Sequence, residues 1–288
     1  MDNINCNLCG NSHYEVLYLS NIKKDSVSIS TEFAPTAVQY STFYDIVACK
    51  HCGLVYANSR DFDVAALYRN VTNDYAYLDS WNERAGTFRN LLKMLEKHVQ
   101  GKKILDIGCY GGIFLKEAKK QGYNVIGIEP SEWAFRIASE RVEAKVINTS
   151  WDKANLPDNY FNIVTLWDVV EHLEDPSSCF RQANKWLEKN GIIAITTHDI
   201  KSLFARLLGR KYPWLMKFHL YHFEPRTLCA MLRKHHFEPL KVIYYTKTFS
   251  LKYFLSRFGL EVGWSLFKKI KLSINTGDLF MVIAKKKT

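Results

Sequence analysis

Four cysteines near the N-terminus fall into two matched pairs, CNLCG (Cys6, Cys9) and CKHCG (Cys49, Cys52). Each pair is a short turn that presents two thiolates to one point. The glycine after the second cysteine permits the positive φ that turns backbone amides toward the sulfurs. Together the pairs supply four soft ligands, which suits tetrahedral zinc in a closed structural site. The alternative is a redox dithiol, which would be expected beside a βαβ unit and needs no second copy. His51, inside the second pair, reads as an exposed spacer. Between the pairs, VLYLS, TAVQYS and FYDIVAC read as short strands of a ribbon. Such a ribbon is too small to bury much core, so the metal contributes a large share of its stability.

The second chemical signal is ILDIGCYGGIFL, residues 104 to 115. Its glycines, Gly108, Gly111 and Gly112, do not match the GxGxxG turn that lets a pyrophosphate approach the backbone. They fit a loop that passes under a cofactor without phosphates. Glu129 ends the next strand about twenty residues on, where a carboxylate accepts both ribose hydroxyls and disfavours a 2′-phosphate. An adenosine group with no phosphate points to S-adenosylmethionine (SAM).

The elements that must position these residues follow from periodicity. ILDIGC, YNVIGIEP, AKVINTS, FNIVTLWD and GIIAITT are apolar strand runs. Between them lie the helical patterns GIFLKEAKKQG, SEWAFRIASERV and PSSCFRQANKWLEK. This alternation predicts an α/β fold with a doubly wound, Rossmann-like sheet and helices on both faces. Three segments are expected: a zinc ribbon over residues 1–60, a helical cap over 61–100 and the cofactor-binding domain over 101–288. The cap's FRNLLKMLEKHV repeats apolar residues at helical steps. The tyrosines of YRNVTNDYAYLDSW could border a ligand, with packing as the plainer reading. After EP (Glu224, Pro225) opens a helix, FEPLKVIYYT returns as a strand. The insertion over about 247–275 mixes aromatics with lysines and arginines and reads as an amphipathic helix that covers the sheet edge or forms a dimer contact, with a surface helix resting on an anionic membrane as the alternative.

At this point the chain resembles the class I SAM-dependent methyltransferases. The matching residues are ILDIGCYGGIFL, VIGIEPSEWAFRIA, LPDNYFNIVTLWDVVEHLEDP and NGIIAITT. More closely, it is similar to the bacterial subgroup with an N-terminal CxxC…CxxC ribbon, a segment like ARLLGRKYPWLMKFHLYHFEPRTLCAML and a last strand like GDLFMVIAKK. The resemblance implies a seven-stranded sheet whose last strand runs antiparallel. It implies that Asp106, Gly108 and Gly112 floor the methionine and ribose, and that Glu129 binds the ribose hydroxyls with Pro130 and Ser131 beside the adenine. It further implies that Ser150 and Trp151 flank the adenine edge, and that Trp167 and Asp168 meet the methionine amino group. Tyr110 stands where relatives usually carry a small residue. It can lie along the methionine end, but a side chain turned to solvent is the favoured reading.

The acceptor would sit beyond the carboxyl ends of the strands. The chemistry there needs an in-line nucleophile and, for a hydroxyl or carbon acid, a general base. His219, in the aromatic segment KYPWLMKFHLYHF, is the first candidate and His172 the second. His198 and Asp199 depart from the relatives and are expected to touch substrate or a neighbouring loop. His222, His235 and His236 are read as surface or helix-end residues.

The leading expectation is methyl transfer to a small hydroxylated metabolite or sugar, nucleotide- or lipid-linked forms included. The alternative is an RNA methyltransferase whose ribbon recognises nucleic acid. The formal net charge of +10 over 288 residues is spread along the chain and reads first as a lysine-rich solubilising surface, with an anionic partner, whether nucleic acid or a membrane contacted peripherally, as the alternative. Between Cys6 and Cys52 the ribbon carries few basic residues: Lys23, Lys24 and Lys50. A homodimer is a further expected partner. Charged residues at 24% and apolar ones at 47% suit a globular protein. The start MDNINCNLCG lacks the pattern of a secretory signal, so a cytoplasmic location is expected.

Overall fold

The computed structural model describes residues 4–22, 42–58, 63–72, 74–251, 255 and 270–287. The ribbon begins with β1 (Tyr14–Tyr18), β2 (Ile46–Cys49) and β3 (Val55–Ala57). TAVQYS lies outside the described residues. The cap follows as α1 (Val64–Arg69), α2 (Tyr75–Asp79) and α3 (Trp81–Leu95). Asp63 and Asp74 start the first two helices, their carboxylates accepting from Ala66 N and Tyr77 N.

The remaining chain alternates as read. It runs through β4 (Lys103–Ile107), α4 (Ile113–Lys120), β5 (Asn124–Ile128), α5 (Glu132–Arg141), β6 (Lys145–Ile147), β7 (Phe161–Trp167), α6 (Pro176–Trp186) and β8 (Leu187–His198). Next come α7 (Leu203–Leu208), β9 (Tyr221–His222), α8 (Pro225–Lys234), β10 (Phe237–Tyr244), β11 (Lys247–Ser250), β12 (Lys271–Ile274) and β13 (Leu279–Lys286). The seven-stranded sheet has the order β10-β13-β8-β7-β4-β5-β6. β13 pairs antiparallel with both β8 and β10, while β8, β7, β4, β5 and β6 run parallel. Every residue of β7 is buried. This is why the central strands read as continuous apolar runs: helices cover both faces.

The glycine turn works by sterics. Gly112, at φ +78°, starts α4, and a Cβ there would stand 2.6 Å from Val142 Cγ2. Gly108 is also left-handed, at φ +71°, and its Cβ would meet Val169 Cγ2 at 2.8 Å. Both positions therefore demand glycine.

Three elements differ from the sequence reading. β8 starts directly at Leu187, so the last residues assigned to the preceding helix are strand. The stretches Lys247–Ser250 and Lys271–Ile274, expected within an amphipathic helix, pair with each other as antiparallel strands. Most of what lies between them is outside the described residues. Third, the ribbon sheet is not confined to the N-terminus. Its order is β1-β2-β3-β9, with Val55 opposite His222 and Tyr56 opposite Tyr221.

The ribbon is fastened elsewhere too. Asn7 Nδ2 donates to Asp175 Oδ1 at 2.9 Å, and Lys234 Nζ donates to the Leu8 carbonyl at 2.7 Å. Among the described residues, no helix is long and apolar enough to cross a membrane.

Candidate functional site

A cavity of about 650 Å³ opens at the carboxyl ends of β4, β5, β7 and β8. One end is built by the two consecutive strand–loop–helix units. Glu129, 3% exposed, accepts from Tyr110 N through Oε2 and from Ser131 N through Oε1, each at 2.8 Å. Burial nevertheless pushes its carboxyl up to about 7. Asp106 accepts from Thr165 Oγ1 at 2.7 Å, and burial raises its carboxyl far above the usual range. Trp167 and Asp168 close β7. Asp168 sits at φ +54°, donates its N–H to Thr196 Oγ1 at 2.9 Å and pairs with Lys247 Nζ at 2.6 Å. Burial alone would raise the Asp168 carboxyl, but the Lys247 ammonium outweighs it and holds the group well below the carboxylate range.

Tyr110 does not turn to solvent. Its hydroxyl donates to Asp74 Oδ2 at 2.7 Å, and its ring lies 4.4 Å from that of Tyr77 in a T-shaped contact. The backbone holds it at φ +48°, a left-handed conformation that an aromatic residue adopts only where its surroundings enforce it. Here Glu129 takes the amide and Asp74 the hydroxyl. The cap thereby closes one side of the cavity, with Tyr68 and Tyr77 both on its wall.

The other end gathers histidines from three remote segments. His172 follows β7, His198 ends β8 and His219 precedes β9; all line the cavity. The His172 and His219 rings are 4.7 Å apart, and those of His198 and His219 are 5.6 Å apart. Burial lowers the basicity of His172. His219 falls further, because burial is joined by the neighbouring imidazoles of His172, His198 and His222. Both rings are therefore neutral near pH 7, the form that can accept a proton. The backbone fixes this arrangement: Leu220 N donates to the Glu171 carbonyl at 2.7 Å, and Ala57 N donates to the Leu220 carbonyl at 2.9 Å.

The four paired cysteines converge as their spacing predicted. Cys6 and Cys52 Sγ are 3.4 Å apart, Cys9 and Cys49 Sγ are 3.5 Å apart, and all four sulfurs lie within 4.8 Å of one another. Four metal–sulfur bonds of ~2.3 Å at tetrahedral angles would set the sulfurs ~3.8 Å apart, so the cluster fits a metal with small adjustments. Burial pushes the Cys49 thiol up, but the backbone N–H groups of Cys52 and His51 outweigh it and bring it down to about 7. His51 is exposed.

With this geometry in place, comparison with known proteins is decisive. A family described as a methyltransferase domain matches residues 79–242. The chain belongs to the SAM-dependent methyltransferases. Among curated relatives, the ubiquinone biosynthesis O-methyltransferase of Pasteurella multocida is 27% identical over 129 residues, covering 39% of this chain and 53% of that protein. The chain thus spans about half the length of the curated relatives it matches. Among solved structures, a SAM-dependent methyltransferase from Archaeoglobus fulgidus aligns with a TM-score of 0.53 at 20% identity, covering 74% of this chain and all of that one (100%). The magnesium protoporphyrin IX methyltransferase of Synechocystis, solved with bound SAH, aligns at 0.52 and 12% identity, covering 75% and 89%. These structures establish the Rossmann-like methyltransferase fold.

Within the methyltransferase cavity lie Asp106, Gly108, Tyr110, Glu129 and Pro130, together with Ser150, Trp151, Trp167 and Asp168. Ser131 and Gly112 are not on its wall. Ser131 is fully buried, caps α5 through Ala134 N and donates its amide to Glu129. His222 is not a surface residue: it is 5% exposed within β9, and burial lowers its imidazole to about 3. His235 is at a helix end but buried, and His236 is exposed beyond it. The sequence reading missed Asp74, Lys247 and Trp214, the last on the cavity wall with its ring 4.1 Å from that of His198. Asp74 and Lys247 reach their partners across the fold, and no local spacing marks them.

Proposed function

We propose that this methyltransferase moves the methyl group of SAM to a hydroxyl of a small molecule, a metabolite or sugar, bound at the histidine end of the cavity. The observation that carries the reading is that one cavity joins the Glu129 end to the imidazoles of His172, His198 and His219, two of which, His172 and His219, are held neutral near pH 7. The relatives' O-methyltransferase names support the same acceptor atom. Glu129 would accept the ribose hydroxyls, with Asp106 and Gly108 beneath the cofactor and Pro130, Ser150 and Trp151 around the adenine. Ser131 would orient the Glu129 carboxylate through its amide, and Gly112 would keep helix and strand close. Trp167, Asp168 and Tyr110 would border the methionine. The sulfonium already activates the methyl, so the chain's task is alignment and removal of the acceptor's proton. His219 would take that proton, with His172 as the second choice.

We further assign a structural zinc ion to Cys6, Cys9, Cys49 and Cys52, in a ribbon over 1–60 that precedes the cap (61–100) and the catalytic domain (101–288). Four thiolates leave no open position, so the metal would hold the fold rather than react.

The test is transfer of a radiolabelled methyl group from SAM into a lysate of the source organism, fractionated into small molecules, lipids, RNA and protein. Label in small molecules or lipid-linked glycans is expected. Label confined to RNA would overturn the reading and make the ribbon the recognition element.

A further inference from the structure

The acceptor end holds more unsatisfied polar atoms than a single proton acceptor explains. Glu171 is 1% exposed, yet among the described residues neither carboxylate oxygen has a hydrogen-bond partner. Both ring nitrogens of His198 also lack one among the described residues, and its Nδ1 stands 3.4 Å from Glu171 Oε1. A carboxylate at that depth, without a donor, is costly unless a cation or donor completes it.

The neighbouring histidines are oriented for such a cation. His172 Nδ1 lies 3.0 Å from the Phe218 carbonyl oxygen, and a ring N–H of His219 donates to the Trp214 carbonyl. Each backbone carbonyl takes one ring proton, so the other nitrogen keeps its lone pair. That is how metal-ligating histidines are held, one N–H anchored and the opposite nitrogen free. One ligand atom each from Glu171, His172 and His219 come within 4.8 Å of one another. Tyr68 Oη sits 3.2 Å from His172 Nε2, so a cation entering there requires the phenol to swing aside.

We propose that Glu171, His172 and His219 form a binding site for a divalent first-row cation at the acceptor end of the cavity, distinct from the four-cysteine cluster. Two imidazoles and one carboxylate suit Mn²⁺, Fe²⁺, Co²⁺ or Zn²⁺ better than Ca²⁺. The consequence, though not the binding, rests on the proposed methyl transfer. A hydroxyl held by the cation loses its proton more readily. The cation would then replace a free His219 or His172 imidazole in activating the acceptor, and would leave His198 as the uncoordinated ring beside it.

The experiment is a Mn²⁺ titration of the full, zinc-loaded chain, followed by loss of the free Mn²⁺ paramagnetic resonance signal. Mn²⁺ is the weakest binder of its series and does not displace zinc from thiolates. The expected result is one Mn²⁺ per chain, with affinity at least ~10-fold lower in Glu171→Gln and in His219→Asn. SAM binding should be unchanged in both variants, which certifies that they fold. Equal Mn²⁺ binding by wild type and Glu171→Gln would overturn the site and leave a free imidazole as the base. One bound Mn²⁺ in a chain whose methyl label goes to RNA alone would support the site while sinking the small-molecule reading.

Discussion

The two ends of the cavity are built on different principles. At the Glu129 end, two successive strand–loop–helix units supply the carboxylate, the glycine turn and the helix caps, and the Glu129 carboxylate accepts from amides 19 and 2 positions away. At the histidine end, His172, His198 and His219 arrive from three segments. The last of these is held by Glu171 on one side and by β3 of the ribbon on the other. The first end is a local motif to which Asp74 and Lys247 add remote contacts; the second exists only once the ribbon and the 211–223 segment have docked. Damage far from the cavity should therefore reach the second end and spare the first.

The sharpest way to break this contrast is Cys49→Ser. Losing one thiolate of the ribbon should remove most of the contribution of the proposed zinc, which is on the order of 10 kcal/mol for a four-ligand site. Methyl transfer should fall to background while SAM binding, read by calorimetry, persists. Parallel loss of both would show that the ends are not separable.

A smaller effect is expected within the histidine end itself. His219→Ala should lower turnover by ~10²–10⁴-fold, the usual range for a lost general base, with SAM affinity unaltered. Unchanged turnover would remove His219 from the chemistry.

The smallest effect belongs to the local end and is a matter of pH. The folded Glu129 carboxyl sits near 7, above its unfolded value of 4.5. Between those values the cofactor-free protein holds a proton that the unfolded chain has released, so this group's contribution to stability declines as pH rises through that window. Ribose hydroxyls need the ionised form, so SAM binding should expel the proton. Affinity should then rise ~10-fold between about pH 6 and pH 8, and Glu129→Gln should flatten the slope. A slope that persists in the variant would mean that another group is linked to binding.

The same contrast explains what the sequence revealed. The order of strands and helices was legible because β4, β5, β7 and β8 are buried on both faces and leave unbroken apolar runs. The glycine turn and Glu129 were legible because the chain sets their spacing directly. β9 was not: two residues carry no periodicity, and its pairing partner lies in the ribbon. Tyr110 was misplaced because Asp74, which takes its hydroxyl, comes from the cap. The Glu171–His198 approach was invisible for the same reason, since Glu171 lies in the turn after β7 and His198 ends β8.

The two-residue strand β9 also bears on ancestry. Ribbons of paired cysteines look like parts that recombination could trade between genes. Here Tyr221 and His222 continue the ribbon's own sheet, so a foreign ribbon would need to arrive with a matching 211–223 segment. Lineages of this protein should therefore have inherited the two stretches as a pair, with substitutions in one tracked by substitutions in the other.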